Sequence, residues 1–321
     1  MASLVDGIAT PVDGIDEPAL ARVLAAITRA SRDVSRHVRS GALLKLPETR
    51  GEVNVQGEVV HPLDILGTET FVRAFDASSV VAGLVCEELA EPQFFEVDAA
   101  SPSYLCVLDP IDGTSNADIA ITIGSVYGIF PTESGVELSG EQPFLRPGTD
   151  FVAAGYILYG SSTVLVLATP GHVQEFTLDD ASEEFRLTRA DVRIPDVCPY
   201  YSVNQGYEDR WDPSVQRAVQ AVRQGRSLRY VGSLVSDFHR DLIRGGVFLY
   251  PADSKNPNGK IRVLYEASVF AYIAKQAGGA AITGAGPVLE LVPDSVHQRT
   301  SLFIGNAAVV EQIDSALRDR G

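Results

Sequence analysis

Hydrophobic positions along this chain fall into runs whose period switches repeatedly between that of a helix and that of a strand. Leu20, Val23, Leu24, Ile27, Val34 and Val38 recur at helical spacing. Asp16 stands before them as an N-cap, Pro18 falls in the first turn and Gly41 closes the run. Residues 46–62 have no periodicity and are rich in glycine and polar side chains, which reads as a disordered or active-site loop. A second helix is expected over 63–77. Apolar runs at 80–86, 104–108 and 119–130 read as strands, and 131–149 as a loop. Gly160-Ser161-Ser162 turns a hairpin between 151–158 and 163–169, which 173–178 extends.

Residues 1–15 hold a short echo, Val5-Asp6-Gly7-Ile8 and Val12-Asp13-Gly14-Ile15. Two copies of four residues are too short to define a repeat, and the stretch reads as a mobile N-terminal tail. The pattern breaks near 185–200, where Pro195 and Pro199 flank Cys198. Beyond it, strands at 200–203, 228–231 and 247–250 alternate with helices at 214–223, 234–244 and 262–277. Two short strands and a helix at 309–317 end the chain. The expectation is a layered α/β (α+β) fold in two abutting subdomains, 16–190 and 191–321.

The stretch that carries chemistry is Asp109-Pro110-Ile111-Asp112-Gly113-Thr114-Ser115. A buried strand delivers two carboxylates into a turn set by Pro110 and Gly113, and the glycine and hydroxyls after it suit phosphate oxygens. Alone this could be an ordinary surface turn. Glu87-Glu88, closing the preceding strand, makes it a candidate cation site. Four carboxylates with no soft ligand select Mg²⁺ or Mn²⁺ over zinc, and their mutual repulsion favours more than one ion. The five histidines show no HxH or HExxH spacing, and neither a Walker A nor a GxSxG motif is present.

Composition narrows the function classes. With 26 basic against 42 acidic residues and a formal net charge of -16, the chain is unsuited to non-specific binding of nucleic acid or a membrane surface. An anionic substrate would need cations gathered locally. No apolar run reaches the about 18 residues of a membrane span, and residues 1–18 lack the basic start and apolar core of a secretion signal. Cys86, Cys106 and Cys198 form no disulfide framework, which fits a reducing compartment. The expectation is a soluble cytoplasmic protein. Only four basic residues are lysine (Lys45, Lys255, Lys260, Lys275), and the acid excess fits a salt-adapted proteome or a GC-rich genome equally.

The Asp109–Ser115 motif, with Glu87-Glu88 upstream, resembles the magnesium-dependent, lithium-sensitive sugar and inositol phosphatase superfamily. Further segments are similar to class I fructose-1,6-bisphosphatase. They are Asn54-Val55-Gln56-Gly57-Glu58, Leu63-Asp64-Ile65-Leu66, Tyr201-Ser202-Val203-Asn204-Gln205-Gly206-Tyr207, Arg229-Tyr230-Val231-Gly232-Ser233, Phe248-Leu249-Tyr250-Pro251, Asn258-Gly259-Lys260-Ile261-Arg262-Val263-Leu264-Tyr265-Glu266 and Val296-His297-Gln298-Arg299. The only Trp-Asp, Trp211-Asp212, does not continue as the inositol monophosphatases require.

The resemblance implies a sugar-phosphatase fold and hydrolysis of the 1-phosphate of fructose 1,6-bisphosphate. Sedoheptulose 1,7-bisphosphate remains an alternative substrate, an inositol-monophosphatase-like activity another, and a non-catalytic sugar-phosphate sensor a third. It implies that Glu87, Glu88, Asp109, Asp112, Glu266 and the Ile111 carbonyl hold two or more Mg²⁺ ions. Asp64 and Glu88 would activate water, with Glu58 on a loop closing over them. Gly113, Thr114, Ser115 and Arg262 would hold the 1-phosphate. Asn204, Tyr207, Tyr230, Tyr250 and Lys260 would hold the 6-phosphate and sugar, with Arg229 supplied by a neighbouring subunit of a homotetramer or dimer.

One departure concerns regulation. The family's AMP site uses cations at the positions of Ser103 and Pro131, and neither residue can pair with phosphate. AMP is therefore expected to inhibit weakly or not at all, although Tyr104 is present. A micromolar inhibition constant would contradict this.

Overall fold

The structure, a computed structural model, describes residues 2–3, 5–40, 61–98, 101–133 and 138–319. The expected loop at 46–62, including Glu58, lies almost wholly outside them. Two helices open the chain, α1 (Pro18–Ser40) and α2 (Pro62–Asp76). The apolar positions read from the sequence form the buried face of α1, although Glu17 rather than Asp16 receives the Ala19 and Ala21 N–H groups at its start.

A short ribbon, β1 (Ala2–Ser3) with β2 (Val12–Asp13), precedes them. Eight strands then form one sheet: β3 (Val81–Cys86), β4 (Gln93–Phe94), β5 (Tyr104–Asp112), β6 (Ile123–Pro131), β7 (Ala153–Tyr159), β8 (Thr163–Thr169), β9 (His172–Asp179) and β10 (Glu184–Arg189). Their order is β10-β9-β8-β7-β6-β5-β3-β4, antiparallel except for the parallel pair β3/β5. Strand β10 falls where the sequence pattern was expected to break. Its alternation of Phe185 and Leu187 with charged residues is the signature of a half-exposed edge strand.

The second half contains β11 (Tyr200–Ser202), α3 (Pro213–Arg223), β12 (Ser227–Leu228), α4 (Leu234–Arg244), β13 (Gly246–Tyr250), β14 (Ile261–Arg262), α5 (Ser268–Gln276), β15 (Ala280–Ile282), β16 (Arg299–Thr300), β17 (Leu302–Gly305) and α6 (Ala307–Arg318). Five strands pair in the order β12-β11-β13-β17-β15, while β14 and β16 form a separate ribbon.

Side-chain alternation turns these elements into layers. On β5, Tyr104, Cys106 and Leu108 face the core under α1 and α2, whereas Leu105 and Val107 face the core shared with α4 and α5. On β13, Phe248 joins that shared core, and Val247 and Leu249 point to α3 and α6. The result is five layers, helix–sheet–helix–sheet–helix, with α4 and α5 between the sheets. The layered α/β expectation holds.

The mobile-tail expectation does not. Val5, Ile8, Val12 and Ile15 are all buried. Each copy of the echo sends its valine and isoleucine inward, and the aspartate carbonyl accepts a threonine hydroxyl (Asp6 from Thr28, Asp13 from Thr169). Gly7 and Gly14 both have positive φ, 85° and 75°, where a side chain would also strike those threonines. The Gly7 carbonyl and Ala9 N–H pair with Phe185 of β10, closing an otherwise open sheet edge. The echo was too short to signify in sequence; its two copies act as rivets because the same turn meets the same kind of partner twice. Ile15→Ala is expected to cost about 2–5 kcal/mol in chemical denaturation, whereas a loose tail would make it silent.

Candidate active site

The two carboxylates of the central motif lie on a strand, not in the turn expected from Pro110 and Gly113. Strand β5 continues through Asp112, pairing Asp109 with Val126 and Asp112 with Gly124 across a bulge. Residues three apart on a regular strand point to opposite faces; the bulge brings Asp109 and Asp112 to the same one. Pro110 lacks an N–H, and a bulge is a place within a sheet that tolerates it. Gly113 then leaves the strand at φ 79°, and a Cβ there would sit 2.7 Å from the Ser233 Cβ.

Helix α4 begins on Asp112. The Ser233 hydroxyl donates to Asp112 Oδ2 at 2.8 Å and the Val235 N–H at 2.9 Å. A carboxylate more than a hundred residues away thus satisfies an N–H that the start of α4 leaves open, where the helix dipole favours negative charge. Asp64, at the start of α2, accepts the His61 N–H at 2.9 Å. The Thr114 hydroxyl stands 2.7 Å from Asp64 Oδ1 and 2.8 Å from the Ile111 carbonyl, donating to one at a time.

The other wall comes from the second half. The helix expected over 262–277 is divided: Arg262 ends β14, and Val263–Ala267 form a π-turn before α5. Such wide turns cluster at functional sites. This one carries Glu266, whose carboxylate oxygen, with one each from Asp109 and Asp112, lies in a group spanning no more than 4.8 Å. Glu87 adjoins them, sharing a hydrogen bond with Asp109 and an ion pair with Arg262 at 2.7 Å. The Arg262 N–H also donates to Glu266 at 2.6 Å. Glu88, next in the chain, is half-buried.

Crowding and burial set the electrostatics. Burial, then Glu87, Asp112 and Glu266, holds the Asp109 carboxyl well above the usual range. Burial and Glu266 push Glu87 up to about 8, with Arg262 opposing. Burial raises Asp112 too, against the pull of its α4 donors. These groups cannot all ionise unless positive charge enters, and the donor set is oxygen alone. The residues fit one or more hard divalent cations.

The cluster opens on a pocket of about 200 Å³ lined by Asp112, Gly113, Tyr230, Tyr250, Lys260, Arg262 and Glu266 among others. Tyr207 lies close enough to Tyr230 and Tyr250 to raise both of their pKa values further, beyond the larger effect of burial. Arg210 stacks on its ring. Asn204 accepts the Gly206 N–H, and Ser115 is exposed on the turn after Gly113. Arg229 does not line the pocket; it is exposed after edge strand β12 and lies over Tyr200. Sequence reasoning assigned no role to Ser233 or Asp237. Asp237, fully buried on α4, accepts the Val231 and Gly232 N–H groups and so fixes the loop bearing Tyr230. A serine just before a helix signals an N-cap, but nothing in sequence shows that its hydroxyl serves Asp112.

Hard oxygen ligands facing a lysine, an arginine and tyrosines equip a site for phosphate esters. Comparison makes this specific. The family description "Fructose-1-6-bisphosphatase, N-terminal domain" matches residues 12–190, and its C-terminal counterpart matches 194–318. The cytosolic fructose-1,6-bisphosphatase of Brassica napus is 42% identical over 297 residues, covering 91% of this chain and 87% of that protein. That of Oryza sativa subsp. indica is 43% identical over 298 residues, with the same coverage. The holo crystal structure of Leishmania major fructose-1,6-bisphosphatase superimposes with a TM-score of 0.90 at 32% identity, covering 95% of this chain and 96% of that one. The chain belongs to the fructose-1,6-bisphosphatase family, a family of metal-dependent phosphatases.

The raised carboxyls set a pH dependence. Glu87 would lose its proton near 4.5 when unfolded and near 8 when folded. Between those values the folded state binds the extra proton, so stability falls as pH rises. Chelator-treated protein is expected to melt at progressively lower temperature across that window, and the gain on adding Mg²⁺ to grow. A flat metal-free profile would mean the cluster is not strained.

Proposed function

We propose that this chain hydrolyses the 1-phosphate of D-fructose 1,6-bisphosphate with Mg²⁺, giving fructose 6-phosphate and inorganic phosphate. The observation that carries this reading is the convergence of Asp109, Asp112 and Glu266 on a pocket shared with Lys260, Tyr230 and Tyr250, in a member of this family. Glu87, Glu88, Asp109, Asp112, Glu266 and the Ile111 carbonyl would hold two or more Mg²⁺ ions, or Mn²⁺. When bound, such cations neutralise phosphate oxygens and lower the pKa of water.

The residues then divide the work. Asp64 and Glu88 receive the proton of a water attacking phosphorus from the side opposite the C1 oxygen. Gly113, Thr114, Ser115 and Arg262 orient the 1-phosphate. Lys260, Tyr207, Tyr230, Tyr250 and Asn204 bind the 6-phosphate and sugar at the far end of the pocket. Lys260 and Arg262 offset the chain's negative field where an anionic substrate must enter. Arg229, exposed beside the sheet edge, would complete this end in a neighbouring subunit of a homotetramer or dimer. The Brassica napus and Oryza sativa relatives are described as cytosolic, and we assign this protein to the cytoplasm. No described helix is long and apolar enough to cross a membrane.

Phosphate release with Mg²⁺ across fructose 1,6-bisphosphate, sedoheptulose 1,7-bisphosphate and inositol 1-phosphate tests the assignment, the first being the expected preferred substrate. Glu88→Gln is expected to lower turnover by about 10²–10⁴-fold without shifting the melting temperature. Near-normal turnover would remove Glu88 from the mechanism. Lys260→Ala should raise KM and leave kcat nearly intact.

A further inference from the structure

The segment Val296-His297-Gln298-Arg299 has no part in the scheme above, yet it lies against both walls of the carboxylate cluster. The His297 Nδ1 atom is 2.9 Å from the Tyr265 hydroxyl, and its Nε2 atom is 3.0 Å from the Leu89 carbonyl. Leu89 directly follows Glu87-Glu88, and Tyr265 directly precedes Glu266. The ring also packs edge-on against Tyr265, centroids 5.9 Å apart.

We propose that His297 is a positioning residue that fixes the distance between the Glu87-Glu88 segment and the π-turn bearing Glu266. This rests on the metal-site reading given above. In the neutral imidazole, Nε2–H donates to the Leu89 carbonyl while Nδ1 accepts from the Tyr265 hydroxyl. One rigid ring therefore spans two segments that reach the site from different halves of the chain. The Arg262–Glu87 ion pair also joins these walls, but it engages a ligand carboxylate that a cation would claim. His297 holds a backbone carbonyl and a phenol instead. The segment that follows it is anchored to the π-turn wall: the Gln298 carbonyl accepts the Val263 N–H, and Arg299 pairs with Arg262 between β14 and β16, so the ring carries the link onward to Leu89. Groups that orient ligands without coordinating metal are commonly worth 10–100-fold in affinity.

The test is direct Mn²⁺ binding by electron paramagnetic resonance, with melting temperature measured alongside. His297→Phe keeps the ring and removes both bonds, and should weaken Mn²⁺ binding about tenfold or more. His297→Gln, which carries a donor and an acceptor on one planar group, should recover most of that loss. Tyr265→Phe deletes a single oxygen and should weaken binding less than His297→Phe. It decides the matter if His297→Phe does not fold. Wild-type Mn²⁺ affinity in Tyr265→Phe and in any folded His297→Phe would overturn the proposal, whatever their melting temperatures. Asp109→Asn separates the two levels: its loss of Mn²⁺ binding beside a normal His297→Phe removes only the His297 role. Normal binding in Asp109→Asn removes the metal site itself.

Discussion

Like charges confined in a nearly dry space are the constraint on which the rest of this molecule turns. Asp109, Asp112, Glu87 and Glu266 stand within interaction distance of one another, and each is at most 8% exposed. At such separations the repulsion between ionised carboxylates amounts to several kcal/mol per pair even at an effective dielectric of about 20. The fold offsets it in three ways. Helix α4 aims its N-terminal donors at Asp112, Arg262 neutralises Glu87, and the remaining charge is left to protons or metal. A binding site strained when empty gains most from the cation it is built to receive.

That strain has to be borne by packing elsewhere, and the layer order shows where. Helices α4 and α5 lie between the two sheets, so both sheets hold the elements that carry Ser233, Val235 and Glu266. Neither half of the chain could form the cluster alone: the bulged strand supplies Asp109 and Asp112, and the later segments supply the α4 start and the π-turn. Asp237 extends the same helix's influence to the loop of Tyr230, which also lines the pocket. The first N-terminal rivet pairs with Phe185 at the edge of β10, where backbone groups would otherwise be unpaired, and the second fastens to Thr169 and Gln174 of β8 and β9.

Most individual elements were legible. Apolar spacing gave α1, α2, α3, α4 and the strands β3, β5, β7 and β8 to within a few residues, because periodicity records which face is buried. The misses have separate causes. Strand β10 alternates but carries charge on its open face, and the echo at 5–15 is too short to weigh statistically. The division of 262–277 into strand, π-turn and helix leaves no trace in hydrophobic pattern, since residues 262–274 are all buried and most are apolar.

The site divides along the same line. Composition and spacing alone determined that Glu87-Glu88 and Asp109-Pro110-Ile111-Asp112 offer hard oxygen ligands at strand ends, because ligand type is a property of side chains and strand ends follow from local pattern. Only the tertiary structure decided that a bulge, rather than a turn, puts Asp109 and Asp112 on one face. Composition and spacing could not show Glu266 arriving from the other half of the chain, which the family resemblance alone implied, and neither pattern nor resemblance showed Asp112 meeting the start of α4 or His297 bridging Leu89 and Tyr265. Those relations join residues separated by tens to hundreds of positions. Nothing local encodes them, because the free energy that holds them comes from packing whole layers together.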